Sequence, residues 1–186
     1  MRYLKLVPLT HHIAAVSVKS LPEGREWTYE VKWDGYRALV IKDGTKVQIQ
    51  SRNHKDLTAM YPGIAAASLR LRAQQAVIDG EIVALDVSGR PAFQGLQHRS
   101  SHRQHTIVFY AFDALNVDGR DLIHEPIEKR RASLSKVLKQ DATLRVSGPL
   151  PGSAADVAKA VRSLGLEGVI AKRKGSQYRQ IGRAHV

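Results

Sequence analysis

The chain has 186 residues, is 43% hydrophobic and 25% charged, and carries a formal charge of +12, the balance of a globular protein with a strongly basic surface. It lacks cysteine, which excludes disulfides, thiolate metal sites and cysteine nucleophiles, and no run of about 18 apolar residues offers a membrane span. A field of this sign attracts polyanions, and nucleic acid is the first partner it points to. Met1-Arg2-Tyr3-Leu4-Lys5 begins no long apolar segment of the kind a signal peptide needs, so the chain reads as soluble and intracellular.

In chain order, the first clear element is the alternation Trp27-Thr28-Tyr29-Glu30-Val31. It runs into the turn pair Asp34-Gly35 and puts Lys32 at a strand end. Strands follow from Arg37 to Lys42 and over Val47-Gln48-Ile49-Gln50, joined as a hairpin by the Lys42-Asp43-Gly44-Thr45 break. Ala76 to Asp86 and the β-prone run Thr106 to Phe112 supply two more. Pro126 starts a helix with Ile127, Leu134, Val137 and Leu138 on one face. Ser153 caps another, in which Val157, Val161 and Leu164 recur before Gly165, and Leu166 to Arg173 returns to strand. Tandem strands joined by short turns and interrupted by single helices predict one α+β domain of mainly antiparallel sheets flanked by helices. No glycine cluster opens a helix after a strand, so a bound nucleotide must rely on side-chain cations and a metal.

Lys32 is the candidate nucleophile. A lysine attacks phosphorus only when unprotonated, and a free side chain with a pKa of about 10.4 is almost never so at neutral pH. Burial and nearby cations correct this, and Arg37 with the run Lys172-Arg173-Lys174 are the expected cations. Asp79-Gly80-Glu81 interrupts an apolar strand and Glu167-Gly168 precedes another. Each carboxylate alone reads better as a turn residue or surface ion-pair partner. Joined to Lys32, Arg37 and Arg52 they complete a set: nucleophile, phosphate-binding cations and acidic metal ligands. His98, His102 and His105 have metal-ligand spacing, but the interleaved Arg99 and Arg103 repel a cation and the segment reads as a solvated or DNA-facing loop. Phe109 reads as core and Phe112 as the stacking aromatic.

These motifs, in this order, resemble the nucleotidyltransferase domain of ATP-dependent DNA ligases, most closely the bacterial ligase D group. Lys32-Trp33-Asp34-Gly35-Tyr36-Arg37 matches the family's Lys-x-Asp-Gly-x-Arg motif, Ser51-Arg52-Asn53 the following arginine motif and Asp79-Gly80-Glu81 the third. Phe112-Asp113 with Asp118-Gly119-Arg120-Asp121-Leu122 matches the next, and Glu167-Gly168-Val169-Ile170-Ala171-Lys172-Arg173 the fourth numbered motif. The likeness covers residues 5 to 179.

The resemblance implies the ligase and mRNA-capping-enzyme fold, with ATP and Mg²⁺ or Mn²⁺ as cofactors. Lys32 would attack the α-phosphorus of ATP, displace pyrophosphate and carry AMP as a lysyl phosphoramidate for sealing DNA breaks. Glu30 and the backbone near Val31 would read the adenine edge, Phe112 would stack on one face of the base, and Val169 or Ile170 would form the other wall. Arg37 and Arg52 would contact ribose or phosphates, Lys172 a phosphate, Glu81 the ribose or the metal, and Glu167 would help place the cation. The implied partner is nicked or broken double-stranded DNA, with polymerase and nuclease domains and an end-binding protein in the parent. The implied setting is a monomer in the bacterial cytoplasm beside the nucleoid, away from any membrane.

Beyond Lys172 the family carries a further strand with a tryptophan and paired lysines. Ser176-Gln177-Tyr178-Arg179 still fits, Gln180 to Val186 does not, and no OB-fold domain follows. The expected division is a C-terminally truncated adenylation domain over residues 1–179 and a non-native tail over 180–186, with Ile181 to Val186 reading as translated adapter sequence. An open sheet edge and weak or absent self-adenylation follow from that division. Two other readings stand beside it: an RNA ligase or capping-type nucleotidyltransferase with the same lysine chemistry, and a non-catalytic basic DNA-binding remnant.

Overall fold

The computed structural model describes residues 16–17, 20–97, 105–178 and 184–185. The elements in chain order are β1 (Val16–Ser17), β2 (Trp27–Lys32), β3 (Tyr36–Asp43), β4 (Lys46–Ser51), α1 (Pro62–Ser68), β5 (Gln75–Leu85) and α2 (Gln94–Gln97). They continue with β6 (Thr106–Val117), β7 (Arg120–Asp121), α3 (Ile127–Val137), β8 (Leu144–Val146), α4 (Ala154–Ser163), β9 (Gly168–Arg173) and β10 (Ala184–His185). A four-stranded sheet runs β1-β10-β9-β2, and a six-stranded sheet runs β4-β3-β5-β6-β7 with β8 added on β6. The β1–β10 and β6–β8 pairs are parallel and the others antiparallel, which is the expected α+β architecture. No helix among the described residues is long and apolar enough to cross a membrane.

Each sheet has its own helical cover over an apolar face that must be removed from water, and the larger sheet carries further buried clusters on its other face. Val40, Ile78, Ile82, Ala84, Phe109 and Ala111 of the larger sheet pack with Ile64 of α1, Leu96 of α2, and Leu134 and Val137 of α3. Tyr29, Val169 and Ala171 of the smaller sheet pack with Ala154, Val157 and Val161 of α4. Leu164, expected on that inner face, is the C-cap of α4 and is 59% exposed, since the helix ends one residue before it.

Ser153 and Asp156 form a reciprocal capping box at the start of α4, each side chain accepting from the other's backbone N–H. Ser153→Ala is expected to lower stability by about 1 kcal/mol, a fall of roughly 2–4 °C in melting temperature. An unchanged melting curve would show that the cap contributes nothing.

The β5–β6 pairing slips twice, between Val77 and Ile78 and between Asp79 and Gly80. The register pairs Asp79 with Asp113 and Gly80 with Ala111, leaving Phe112 as the extra residue of a bulge, and Leu115 is skipped in the same way. Bulges re-aim side chains. Leu115 joins Leu39, Ile41 and Val77 in a small cluster, and Phe112 comes to lie by Arg37, farther along the same face of β3. Gly80 is required here, because a Cβ would sit 2.4 Å from the Phe109 ring and 2.7 Å from the Tyr110 carbonyl oxygen.

Beside β9 the expected open edge is covered: β10 pairs with it through His185 and Ile170. The rest of the tail reading, on residues 180–183 and 186, lies outside the described residues, as do His98 and His102. His105 packs under Gly95, where a Cβ would meet its ring at 2.8 Å.

Candidate active site

Alternation along β2 decides which side chains enter the site. Thr28, Glu30 and Lys32 lie opposite Lys172, Ile170 and Gly168 of β9, so these residues share one face of the smaller sheet. Tyr29 and Val31 lie opposite Ala171 and Val169 on the other face, the one packed on α4. Val169 and Ile170 thereby fall on opposite faces of the sheet. Val169 is 3% exposed in the α4 core, whereas Ile170 shares the face of Lys32.

Lys32 Nζ is ion-paired with Glu167 Oε1, both side chains about one-third exposed. The carboxyl of Asp34 is raised above its ordinary range by burial, with Glu167 adding to the effect and Lys32 opposing it. Of the cations expected around Lys32, Arg37 binds Asp79 and Lys172 binds Glu30, while Arg173 and Lys174 are exposed. Gly35 permits the chain to pass against β5, because a Cβ would lie 2.1 Å from the Ile82 carbonyl oxygen. Gly35→Ala is expected to cost about 1–3 kcal/mol through that overlap and to shift the urea midpoint downward. An unmoved midpoint would show that the turn relaxes freely.

The larger sheet contributes Arg37, Asp79 and Glu81 from one face, with Arg37 directly opposite Glu81 in the β3–β5 register. Asp79 is fully buried and is held by a guanidinium fork, Arg37 Nε to Oδ1 at 2.9 Å and Nη2 to Oδ2 at 2.6 Å. The Tyr178 hydroxyl donates to Oδ2 of the same carboxylate at 2.8 Å. The guanidinium of Arg37 also lies 4.8 Å from the centroid of the half-buried Phe112 ring. Burial pushes the Glu81 carboxyl up to about 8, with Arg37 opposing and Asp79, Glu167 and Asp34 adding to the rise. A cleft of about 600 Å³ opens beside this row and is lined by Tyr36, Arg37, Arg52, Lys55 and Glu81 among others.

Glu30 does not present a free carboxylate to a ligand. It is 2% exposed, its Oε2 lies 2.7 Å from Lys172 Nζ, and its Oε1 pairs with Arg131 of α3. Lys172, expected as a phosphate contact, is itself buried in that pair and lies 4.8 Å from the centroid of the Phe112 ring. Among the described residues no three His, Asp or Glu side chains converge into a preformed metal site.

Four contributors make contacts to which the sequence reading assigns no role. Arg130 and Arg131 of α3 bind Asp113 and Glu30, Tyr178 binds Asp79, and Trp33 stacks on Tyr110 at 3.8 Å while donating to Ser147 Oγ at 2.9 Å. Arg130 had a legible signal. Ile127, Arg130, Leu134 and Val137 are the buried positions of α3, so a charge stands where the helical period calls for an apolar residue.

Two helix-covered sheets, with a lysine ending an edge strand of one and a guanidinium–carboxylate row on a face of the other, define a nucleotidyltransferase domain of the DNA ligase class. The chain belongs to the ATP-dependent DNA ligase domain family, whose model matches residues 9–186. It is 43% identical over 158 residues to the multifunctional non-homologous end joining DNA repair protein LigD of Mycobacterium tuberculosis, a match covering 85% of this chain and 20% of that protein. It is 35% identical over 185 residues to DNA ligase C1 of Mycolicibacterium smegmatis, covering 92% of this chain and 53% of the relative. The fold superposes on a mycobacterial DNA ligase D complexed with ATP and MES with a TM-score of 0.77 at 35% identity, over 92% of this chain and 58% of that one. Thus the chain spans about one fifth of the LigD relative and is of the LigD type.

Proposed function

We propose that the chain performs the nucleotide-loading step of DNA-break joining, with Lys32 attacking the α-phosphorus of ATP. A bond forms between Lys32 Nζ and the α-phosphorus as the bond to the pyrophosphate oxygen breaks, leaving AMP on the lysine as a phosphoramidate. The observation that carries this reading is the placement of Lys32 at the end of β2, in contact with Glu167. Glu167 Oε1 is an acceptor for the proton that Nζ must lose before it attacks. Phe112, aimed by its bulge, offers a ring to the adenine, with Ile170 as the opposing wall. Arg37 and Arg52 on the cleft supply cations to phosphates of the nucleotide and, once the lysine is loaded, of DNA.

Glu81 and Glu167 would hold Mg²⁺ or Mn²⁺. With Asp79 paired to Arg37, the carboxylates of Glu167 and Asp34 that act on the buried Glu81 suit a hard cation, which takes one or two carboxylates and fills its shell with water and phosphate oxygens. When bound, such an ion neutralises the charge of the triphosphate. The substrate of the loaded chain is a phosphorylated end at a nick or break in duplex DNA, attracted by the +12 charge. In the parent, polymerase and nuclease domains and an end-binding protein complete end joining, by a monomer in the bacterial cytoplasm.

Incubation with α-labelled ATP and Mg²⁺ or Mn²⁺ tests this. The expected result is covalent label that peptide mapping places on Lys32 and that added pyrophosphate discharges. Salt-sensitive DNA binding with no covalent label would identify a non-catalytic remnant instead.

A further inference from the structure

Adjacent arginines of α3 reach both halves of the site. Arg130 goes to Asp113, next to Phe112, and Arg131 goes to Glu30, on the same face of β2 as Lys32. Glu30 therefore stands between two cations, with Oε1 to Arg131 and Oε2 to Lys172. Lys172 is 4% exposed and rests by the Phe112 ring. A buried carboxylate needs one cation for charge balance. A second must itself be desolvated, which makes added stability a poor reason for it. Its effect is directional: partners on both oxygens fix the plane of the carboxylate, and with it the place of the Lys172 ammonium.

We infer that Arg131 is a positioning residue for nucleotide binding, which acts through Glu30 to hold Lys172 against Phe112. The inference rests on the ATP-loading reading for its functional half and on geometry alone for its structural half. Arg131 lies outside the motifs that carry the family resemblance, on a helix whose apolar face is core.

The test compares the parent chain with Arg131→Leu and Arg131→Lys. Lysines are acylated under native conditions and quantified by peptide mass spectrometry. Lys42, buried and donating to the carbonyls of Leu69 and Leu71, serves as an internal control for the fold. Arg131→Leu is expected to raise acylation of Lys172 about tenfold with Lys42 still protected, and Arg131→Lys to restore protection. In ATP titrations of lysyl-AMP formation, Arg131→Leu is expected to raise the apparent KM about tenfold while the maximal rate stays within about threefold, a loss in binding. A merely structural role would reduce the fraction of active protein and leave KM unchanged. Unaltered Lys172 protection, or lost amplitude at constant KM, overturns the inference. Absence of label in the parent chain defeats the ATP-loading reading instead, and the acylation result still decides whether Arg131 positions Lys172.

Discussion

Lys32→Ala is expected to lose lysyl-AMP formation by at least about 10⁴-fold, as removal of a nucleophile does in other covalent enzymes. Among the described residues no nearby lysine replaces it. Lys172 is buried against Glu30, Lys42 is spent on two backbone carbonyls, and Lys55 lines the cleft without lying on β2. Lys32→Arg is expected to be equally inactive, because a guanidinium keeps its proton under all working conditions. Neither change should unfold the chain. The Lys32–Glu167 pair is about one-third exposed on each side, and a solvent-screened pair of that kind contributes about 0–1 kcal/mol. Melting temperatures within roughly 2–4 °C of the parent would therefore accompany lost labelling. Label retained on Lys32→Ala would place the nucleophile elsewhere and end the assignment.

How far the sequence carries depends on the range of the interaction concerned. Lys32 at a strand end, the hairpin after Lys42 and the Ser153 cap are set by residues within a few positions, and period or turn chemistry exposes them. Which of Val169 and Ile170 shares the face of Lys32 requires the β2–β9 register, which pairs strands far apart in the chain. Parity then places Ile170 there, since neighbouring residues face opposite ways. Phe112 could be named as the stacking aromatic, but the bulge that aims it comes from a register slip between β5 and β6. The base-edge role of Glu30 is what the family resemblance implies, and the ion pairs that occupy its carboxylate are long-range. Its partners lie on α3 and β9, and no local pattern announces them. Arg130 is the opposite case, a signal present in the helical period and passed over.

The largest stability effect is expected at that arginine. Arg130 is fully buried, and its fork holds Asp113 at 2.7 and 2.8 Å while Nη1 donates to the carbonyls of Glu125 at 2.6 Å and Ser176 at 2.9 Å. Arg130→Leu leaves a carboxylate of 1% exposure without its cation, and breaking such a pair costs about 3–5 kcal/mol. At roughly 2–4 °C per kcal/mol for a chain of this size, the melting temperature should fall by about 6–20 °C. Arg130→Lys should fall in between, because an ammonium matches the charge but cannot reproduce the fork and reach both carbonyls. Combining Arg130→Leu with Asp113→Leu removes the orphaned charge and should recover part of the loss, the sign that the cost lay in an unpaired ion rather than in missing contacts. The Ser176 contact gives this pair a further reach. It anchors the segment whose Tyr178 hydroxyl binds Asp79, and Asp79 orients Arg37 on the cleft. Arg130→Leu at a temperature where the chain stays folded should therefore weaken ATP loading as well, by loosening Arg37. Full loading by such a folded variant would show that Arg37 is held by β3 and β5 alone.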